Sequence, residues 1–282
     1  MPPLRSVAVR FLLATAVLLP AMLLRKERLP TGREWRLLAV LGILMVALPF
    51  SLIAWTQLRI TSSTTSILFA ASPLLTLWME RWIGDRNDRT PVSPRAWLGT
   101  LVGLAGVALL FSHVALAAEG AFAAEVVVLL VVVAGSASSI IAKRRLRDIP
   151  VLTVAATETL LAGLAVGGMS LIFERNRSTE WTAESIAAIL FLGLVSSAFC
   201  FLLYYWLLVR MEPYKLASRF LLMPIIAVGE GSLYLHESVP ATEFAGGVAV
   251  LVSLAMLLSS GSGPQAINTL SDRTSLSTHR KR

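Results

Sequence analysis

The chain has 282 residues, of which 56 % are hydrophobic and only 15 % are charged, and its mean hydropathy is +0.73. A soluble protein of this size could not hide so much apolar surface, because its exterior must be largely polar. The lone cysteine, Cys200, excludes a disulfide framework, and three scattered histidines argue against a histidine metal cluster. The composition therefore predicts a polytopic membrane protein that needs no cofactor and no metal.

Nine apolar segments follow one another along the chain. Each is close to the roughly 20 residues that cross a bilayer core as a helix. They cover residues 4–24, 35–58, 61–82, 95–112, 121–142, 150–173, 184–209, 213–235 and 239–259. The segments lack the alternation of barrel strands and are about twice as long as such strands. We predict an all-α transmembrane helical bundle.

Basic residues are concentrated in alternate connectors. With nine spans, one face receives nineteen of the 25 Lys and Arg residues, namely Arg25, Lys26, Arg28, Arg33, Arg36, Arg81, Arg86, Arg89, Arg95, Lys143, Arg144, Arg145, Arg147, Arg210, Lys215, Arg273, Arg280, Lys281 and Arg282. Positive loops stay on the cytoplasmic side, so the C-terminus is expected in the cytoplasm of a cell with a bacterial-type inner (plasma) membrane. The net charge of +8 is explained in this way without a nucleic acid partner.

The two halves of the chain resemble each other. A shift of 151 residues places Gly42, Trp55, Arg59 and Pro73 on Gly193, Trp206, Arg210 and Pro224, and a shift of 147 places Glu27–Arg28 on Glu174–Arg175 and Gly99 on Gly246. The matched segments have opposite orientations in the predicted topology, as in the inverted repeats of secondary transporters. We predict two repeats, 1–115 and 116–260, followed by a disordered basic cytoplasmic tail, 261–282.

Several motifs identify a resemblance to a known family. They are SPLLTL at 72–77, WLGTLVGLAG at 97–106, Met223-Pro224 followed by Glu237, FAGG at 244–247, and RFLLA at 10–14. The pattern resembles the EamA-type family of the drug/metabolite transporter superfamily over about residues 4–260. The resemblance implies ten helices and transport of amino acids or other small metabolites. The RFLLA motif looks like the start of that family's second helix, so the first repeat is expected to lack its first helix.

Four ionisable residues lie inside the apolar segments: Arg10, Glu158, Arg219 and Glu230. Such residues are costly in a membrane and usually pair or face a cavity. At 1.5 Å per residue, Arg10 and Glu230 have matching depths near the outer face, as do Glu158 and Arg219 near the inner face. We predict two ion pairs that act as alternating gates. Snorkelling towards the headgroups is the alternative, and either glutamate could instead carry a coupling proton.

A substrate pocket is expected near the middle of the membrane. Pro49 and Pro224 interrupt helices and free backbone carbonyls. Trp55 and Gln57 on one helix, and Ser196 and Ser197 on its repeat partner, offer aromatic and hydroxyl groups to a small amphipathic substrate. Tyr205, with Tyr204 and Trp206, could belong either to that pocket or to an interfacial aromatic belt.

The sequence contains no G-x-S-x-G, H-E-x-x-H or G-x-x-x-x-G-K-[ST] motif. An intramembrane enzyme or an ATP-driven pump is therefore not favoured. We predict a secondary active transporter, an exporter working by alternating access with proton or ion coupling, as a monomer or homodimer. A non-transporting membrane protein, or a truncated remnant of such a transporter, is the alternative.

Overall fold

A computed structural model of the chain describes residues 1–60, 62–83, 93–110, 122–179, 181–226 and 241–260, except for the side chains of residues 62–64, 110, 241 and 243. Glu230, Glu237, the boundary between the predicted repeats and the tail 261–282 lie outside the described residues. Within them the chain is helical and contains no strand. The helices are α1 (Pro3–Leu24), α2 (Gly32–Thr56), α3 (Ser62–Phe69), α4 (Ser72–Ile83), α5 (Pro94–Leu110), α6 (Phe122–Arg145), α7 (Val151–Phe173), α8 (Ala183–Leu208), α9 (Pro213–Ala217) and α10 (Ala241–Ser259).

Five of these helices, α1, α2, α6, α7 and α8, are long and apolar enough to cross a membrane. They confirm the predicted all-α polytopic bundle. Helices α5 and α10 are shorter but also apolar. The predicted segment 61–82 is two helices rather than one, since the chain turns between α3 and α4 just before Pro73. Proline has no amide hydrogen and its ring clashes with the carbonyl four residues earlier, so a continuous helix is unfavourable there.

Helices α2 and α8 are built alike. Each helix begins with a capping box, in which the N-cap threonine and the residue three positions later each accept the other's backbone N–H with their side chains. The N-cap residues are Thr31 and Thr182. Each also contains a π-helical segment in its middle, Ile43–Ala47 in α2 and Leu192–Phe199 in α8. In α2 the wide turn precedes Pro49 and makes room for the proline ring. Isolated π segments inside α-helices are rare and are frequent at functional sites.

The ends of α2 and α8 also match. The Arg59 guanidinium lies 3.9 Å from the centroid of the Trp55 ring and donates to the Trp55 carbonyl. Arg210 does the same with Trp206, at 4.2 Å from the ring centroid. These pairs are related by the 151-residue shift found in the sequence, and so are the two threonine caps. The residues that match in sequence thus make the same local contacts in α2 and in α8.

Helices that match between the halves pack against each other, α1 on α7 and α5 on α10. Close approach of α5 and α10 depends on small residues. A Cβ atom at Gly106 would lie 2.9 Å from the Gly246 carbonyl oxygen, and one at Gly99 would lie 3.0 Å from the Met256 Cβ. Ser253 Oγ donates to the Gly99 carbonyl at 2.6 Å.

Two glutamates fasten the ends of the α1–α7 pair. Glu174, at the end of α7, accepts the backbone N–H groups of Leu4 and Arg5, at the start of α1, at 3.0 and 2.8 Å. Glu27, just after α1, accepts the backbone N–H of Thr153, near the start of α7, at 3.1 Å. Each helix thus ends beside the start of the other, so the two helices run antiparallel. We call the two contacts the Glu27 and Glu174 clasps.

Candidate functional site: a central cavity

A cavity of about 560 Å³ is lined by helices from both halves of the chain. Helices α2, α3 and α4 belong to the first half, and α6, α8, α9 and the helical residues after α9 belong to the second. Both π segments contribute to it, through Met45 in α2 and Ser196 in α8. The size suits a small organic molecule.

The lining is mainly apolar and aromatic, with hydroxyl groups distributed among the helices. Two of these hydroxyls, Thr76 Oγ1 and Ser136 Oγ, are buried and have no hydrogen-bond partner among the described residues. A buried hydroxyl without a partner is costly. Such groups in a cavity wall are available to a bound molecule or to water.

Arg219 is the charged side chain among the described lining residues. Its guanidinium lies 4.7 Å from the centroid of the Tyr204 ring and 4.4 Å from that of Phe220. One of its nitrogens donates to the Leu216 carbonyl at 3.2 Å. Stacking on two rings holds the guanidinium plane at the cavity wall.

Glu158 is completely buried in α7, beside the cavity wall. The Tyr205 hydroxyl donates to Glu158 Oε2, and Oε1 has no hydrogen-bond partner among the described residues. Gly42 packs against this residue, and a Cβ there would be in ordinary van der Waals contact, 3.6 Å from the Glu158 Cγ. Tyr205 itself lines the cavity, so Glu158 is hydrogen-bonded to a residue of the cavity wall.

The predicted pair of Glu158 with Arg219 is not formed in this conformation, although both residues are described. Instead, Glu158 contacts Tyr205, the Tyr205 ring lies 5.1 Å from that of Tyr204, and Arg219 stacks on Tyr204. The depth argument predicted the same region for the two charged groups, and in the structure they are linked through the rings of Tyr205 and Tyr204 instead of contacting each other.

Arg10 also makes polar contacts inside the bundle. Its Nε donates to Ser197 Oγ at 2.9 Å and its Nη2 donates to Ser196 Oγ at 3.2 Å, and the guanidinium lies 5.0 Å from the centroid of the Phe50 ring. Both serines belong to the π segment of α8. Its predicted partner, Glu230, lies outside the described residues.

The other predicted site residues divide between two places. Pro49, Gln57, Ser196 and Tyr205 line the cavity. Trp55 stacks on Arg59, while Ser197 and Pro224 are buried without being part of the described lining. On α8 the aromatic residues separate, since Tyr204 and Tyr205 face the cavity and Trp206 is paired with Arg210 at the exterior.

A charged cluster lies beyond one end of the cavity and was not predicted. It contains Glu80, Lys143, Glu212 and Lys215, and Lys215 Nζ lies 3.1 Å from Glu212 Oε2. Each of them lies within four residues of a lining residue: Glu80 of Thr76, Lys143 of Ser139, and Glu212 and Lys215 of Pro213. Sequence patterns gave no reason to bring these four residues together, since they come from three separate helix ends.

Comparisons with known proteins agree with the fold and the family motifs. The model of the EamA-like transporter family matches residues 1–112 and 122–259. The uncharacterized transporter YoaV of Bacillus subtilis is 22 % identical over 90 % of this chain and 87 % of its own length. The uncharacterized inner membrane transporter YedA of Escherichia coli K12 is 26 % identical over 80 % of this chain and 72 % of its own length. One crystal structure superposes with a TM-score of 0.74 at 18 % identity, covering 91 % of this chain and 88 % of that chain, and so has the same fold. The chain is a multi-pass membrane protein and belongs to the EamA-like transporter family.

Proposed function

We propose that this protein is a secondary active transporter that exports a small amino acid-like or drug-like metabolite across the inner membrane by alternating access. The observation that carries the proposal is the cavity between the two halves, with a π segment from each half in its wall. Wide turns are places where a helix can bend without breaking its hydrogen-bond ladder completely. A cavity bounded by two such helices can open at either end.

The repeat supports this mechanism. Alternating access in repeat-built transporters follows from two halves of opposite orientation around a fixed site. Helices α1 and α7 are matched by the repeat, run antiparallel and are fastened at both ends by the Glu27 and Glu174 clasps. We propose that this pair is the fixed element, with α2 and α8 bending beside it. Helix α1 packs on the π segment of α8, and α7 packs on that of α2.

Gating and coupling involve groups next to the cavity. The cluster of Glu80, Lys143, Glu212 and Lys215 can close one end, because opposite charges on separate helices attract in the closed state and can be hydrated in the open state. On the positive-inside argument this end is cytoplasmic. Glu158 is our proposed site of the coupling proton, since a buried carboxyl group with one hydrogen bond can bind a proton from the cavity through the Tyr205 hydroxyl.

Counterflow into proteoliposomes tests the transport function. Proteoliposomes containing the full chain would be loaded with an unlabelled pool of amino acids and small metabolites. Uptake of each labelled compound would then be followed. We expect uptake of at least one compound above protein-free liposomes. The matched variants are Gly135→Trp, whose side chain would fill the cavity, and Gly168→Trp, on the exposed face of α7, because a Cβ atom meets nothing within 4 Å at either position.

The proposal requires Gly135→Trp to abolish counterflow and Gly168→Trp to retain it. Equal counterflow by the two variants would show that the solute does not pass through this cavity. Absence of counterflow by the unmodified chain with every compound would favour the non-transporting alternative. Size-exclusion chromatography with light scattering on the same sample distinguishes a monomer from a homodimer.

A further inference from the structure

The charge distribution in the cavity wall is uneven. Arg219 supplies a full positive charge, and no acidic side chain belongs to the part of the lining that the structure describes. Placing a guanidinium in the membrane interior costs free energy, so an arginine there usually has a counter-charge or a function. Among the described residues Arg219 contacts the rings of Tyr204 and Phe220, has a side-chain hydrogen bond with Tyr204 and donates to the Leu216 carbonyl, and no carboxylate lies within 4 Å of it.

The two unpartnered hydroxyls lie at a similar depth to Arg219. Helices α4 and α6 end at the same level, because an Arg144 nitrogen donates to the Ile83 carbonyl at 3.1 Å, and α9 begins against both helices. Thr76 and Ser136 lie about two turns back from those ends, and Arg219 lies about two turns after the start of α9. By this count of turns, we infer that Arg219 and the two unpartnered hydroxyls belong to one layer of the cavity wall.

Most of the remaining lining is apolar or aromatic, with Phe69, Phe201 and Phe220 among its residues, and its other polar groups are uncharged. A carboxylate can accept hydrogen bonds from a guanidinium and from hydroxyl groups, whereas an ammonium group would be repelled by Arg219 and would meet no acid among the described lining residues. We propose that the cavity binds an amphipathic organic anion, with its carboxylate on Arg219 and its apolar body against the aromatic wall. This inference deepens the proposed transport function and rests on it.

Cys200 provides a direct assay of binding, because it is exposed and lines the cavity. A bound solute should slow alkylation of Cys200 by a maleimide in the purified full chain. Three probes have the same 3-phenylpropyl skeleton and differ in the charge of the end group. They are 3-phenylpropanoate (anionic), 3-phenylpropan-1-ol (neutral) and 3-phenylpropan-1-amine (cationic). A charge-assisted hydrogen-bonded contact is stronger than a neutral one by enough to change affinity about ten- to a hundredfold. We expect the carboxylate to protect Cys200 at concentrations lower by that factor than the alcohol, and the amine to protect least.

The variants Arg219→Gln and Arg210→Gln separate this contact from general effects of removing charge. Arg210 is stacked on a tryptophan as Arg219 is on a tyrosine, but it is not among the described lining residues. Arg219→Gln should remove the preference for the carboxylate, Arg210→Gln should keep it, and Arg219→Lys should keep part of it because lysine retains the charge without the planar fork. The alkylation rate without probe, unchanged between variants, shows that the cavity is intact.

Equal protection by all three probes, no protection by 3-phenylpropanoate at millimolar concentration, or a carboxylate preference that survives Arg219→Gln would overturn the inference. These outcomes are distinguishable from failure of the proposed function. Counterflow of an uncharged or cationic compound would support transport and contradict anion selectivity. Selective protection by the carboxylate without counterflow of any compound would support the binding site and contradict transport.

Discussion

The Glu174 clasp allows a quantitative prediction about stability. Glu174 is 4 % exposed and accepts hydrogen bonds from two backbone N–H groups at the start of α1 and from Ser170 Oγ. Replacing it by alanine leaves those donors without their acceptor. Hydrogen bonds to a charged group contribute about 1.5–3 kcal/mol, and loss of a helix N-cap costs about 0.5–2 kcal/mol. Because the contributions overlap, we expect Glu174→Ala to lower the free energy of unfolding by about 2–3 kcal/mol.

The Glu27 clasp should be weaker. Glu27 accepts from the backbone and hydroxyl of one residue, Thr153, so we expect Glu27→Ala to cost about 1–2 kcal/mol. For a protein of this size 1 kcal/mol corresponds to a Tm shift of about 2–4 °C. Thermal unfolding in one detergent at one scan rate should therefore give a decrease of about 4–12 °C for Glu174→Ala and a smaller decrease for Glu27→Ala.

Glu184→Ala is the matched control, because Glu184 is an exposed glutamate in the first turn of α8. Exposed substitutions of this kind usually change stability by less than about 0.5 kcal/mol. Glu174→Gln should fall between the wild type and Glu174→Ala, since its amide oxygen can still accept one N–H. If both clasp variants melt within the range of Glu184→Ala, the glutamates do not hold the α1–α7 pair together.

Three further predictions concern packing, coupling and gating. Gly106→Ala should lower the Tm, because its Cβ would lie 2.9 Å from the Gly246 carbonyl oxygen and overpacking costs about 1–3 kcal/mol. Gly168→Ala is the control and should leave the Tm unchanged, because its Cβ would meet nothing within 4 Å. Equal Tm values for the two variants would contradict close packing of α5 on α10. Glu158→Gln should abolish proton-driven accumulation in proteoliposomes while solute exchange continues, and wild-type accumulation by this variant would exclude Glu158 as the proton site. Glu80→Gln should increase maleimide access to the cavity from the cytoplasmic side, and unchanged access would show that the charged cluster is not a gate.

The fold class and family could be predicted from the sequence because hydropathy and repeated motifs depend on local composition. Apolar runs of spanning length predicted α1, α2, α6, α7 and α8 correctly. The repeat shift of 147 residues even placed Glu27 on Glu174, although it did not reveal that each caps the partner helix. That role depends on the antiparallel packing of α1 and α7, which only tertiary structure shows.

The orientation of side chains around α8 could not be predicted. Successive residues on a regular helix differ by about 100° in direction, but the π segment Leu192–Phe199 adds residues to a turn and rotates everything that follows. Tyr204 and Tyr205 therefore reach the cavity while Trp206 does not. A regular period of 3.6 residues does not include this rotation, so the sequence pattern could not predict which α8 side chains face the cavity.

Depth along a helix was a useful but incomplete guide to charge pairing. It placed Glu158 and Arg219 in the same region, and both lie at or beside the cavity. It could not show that Tyr204 and Tyr205 stand between them, because depth gives no information on the direction of a side chain. The unpartnered hydroxyls of Thr76 and Ser136 had no distinguishing pattern in the sequence.

Access to Cys200 from the two sides of the membrane tests alternating access most directly. Cys200 is the single cysteine of the chain and lines the cavity, so no engineered label is needed. A membrane-impermeant maleimide would be applied to right-side-out and to inverted membrane vesicles, with Cys200→Ser as the blank. Alternating access predicts labelling from both sides, with the ratio of the two rates changing when an imposed proton gradient is reversed. Labelling from one side alone, under both gradients, would show a static pocket and contradict the transport mechanism.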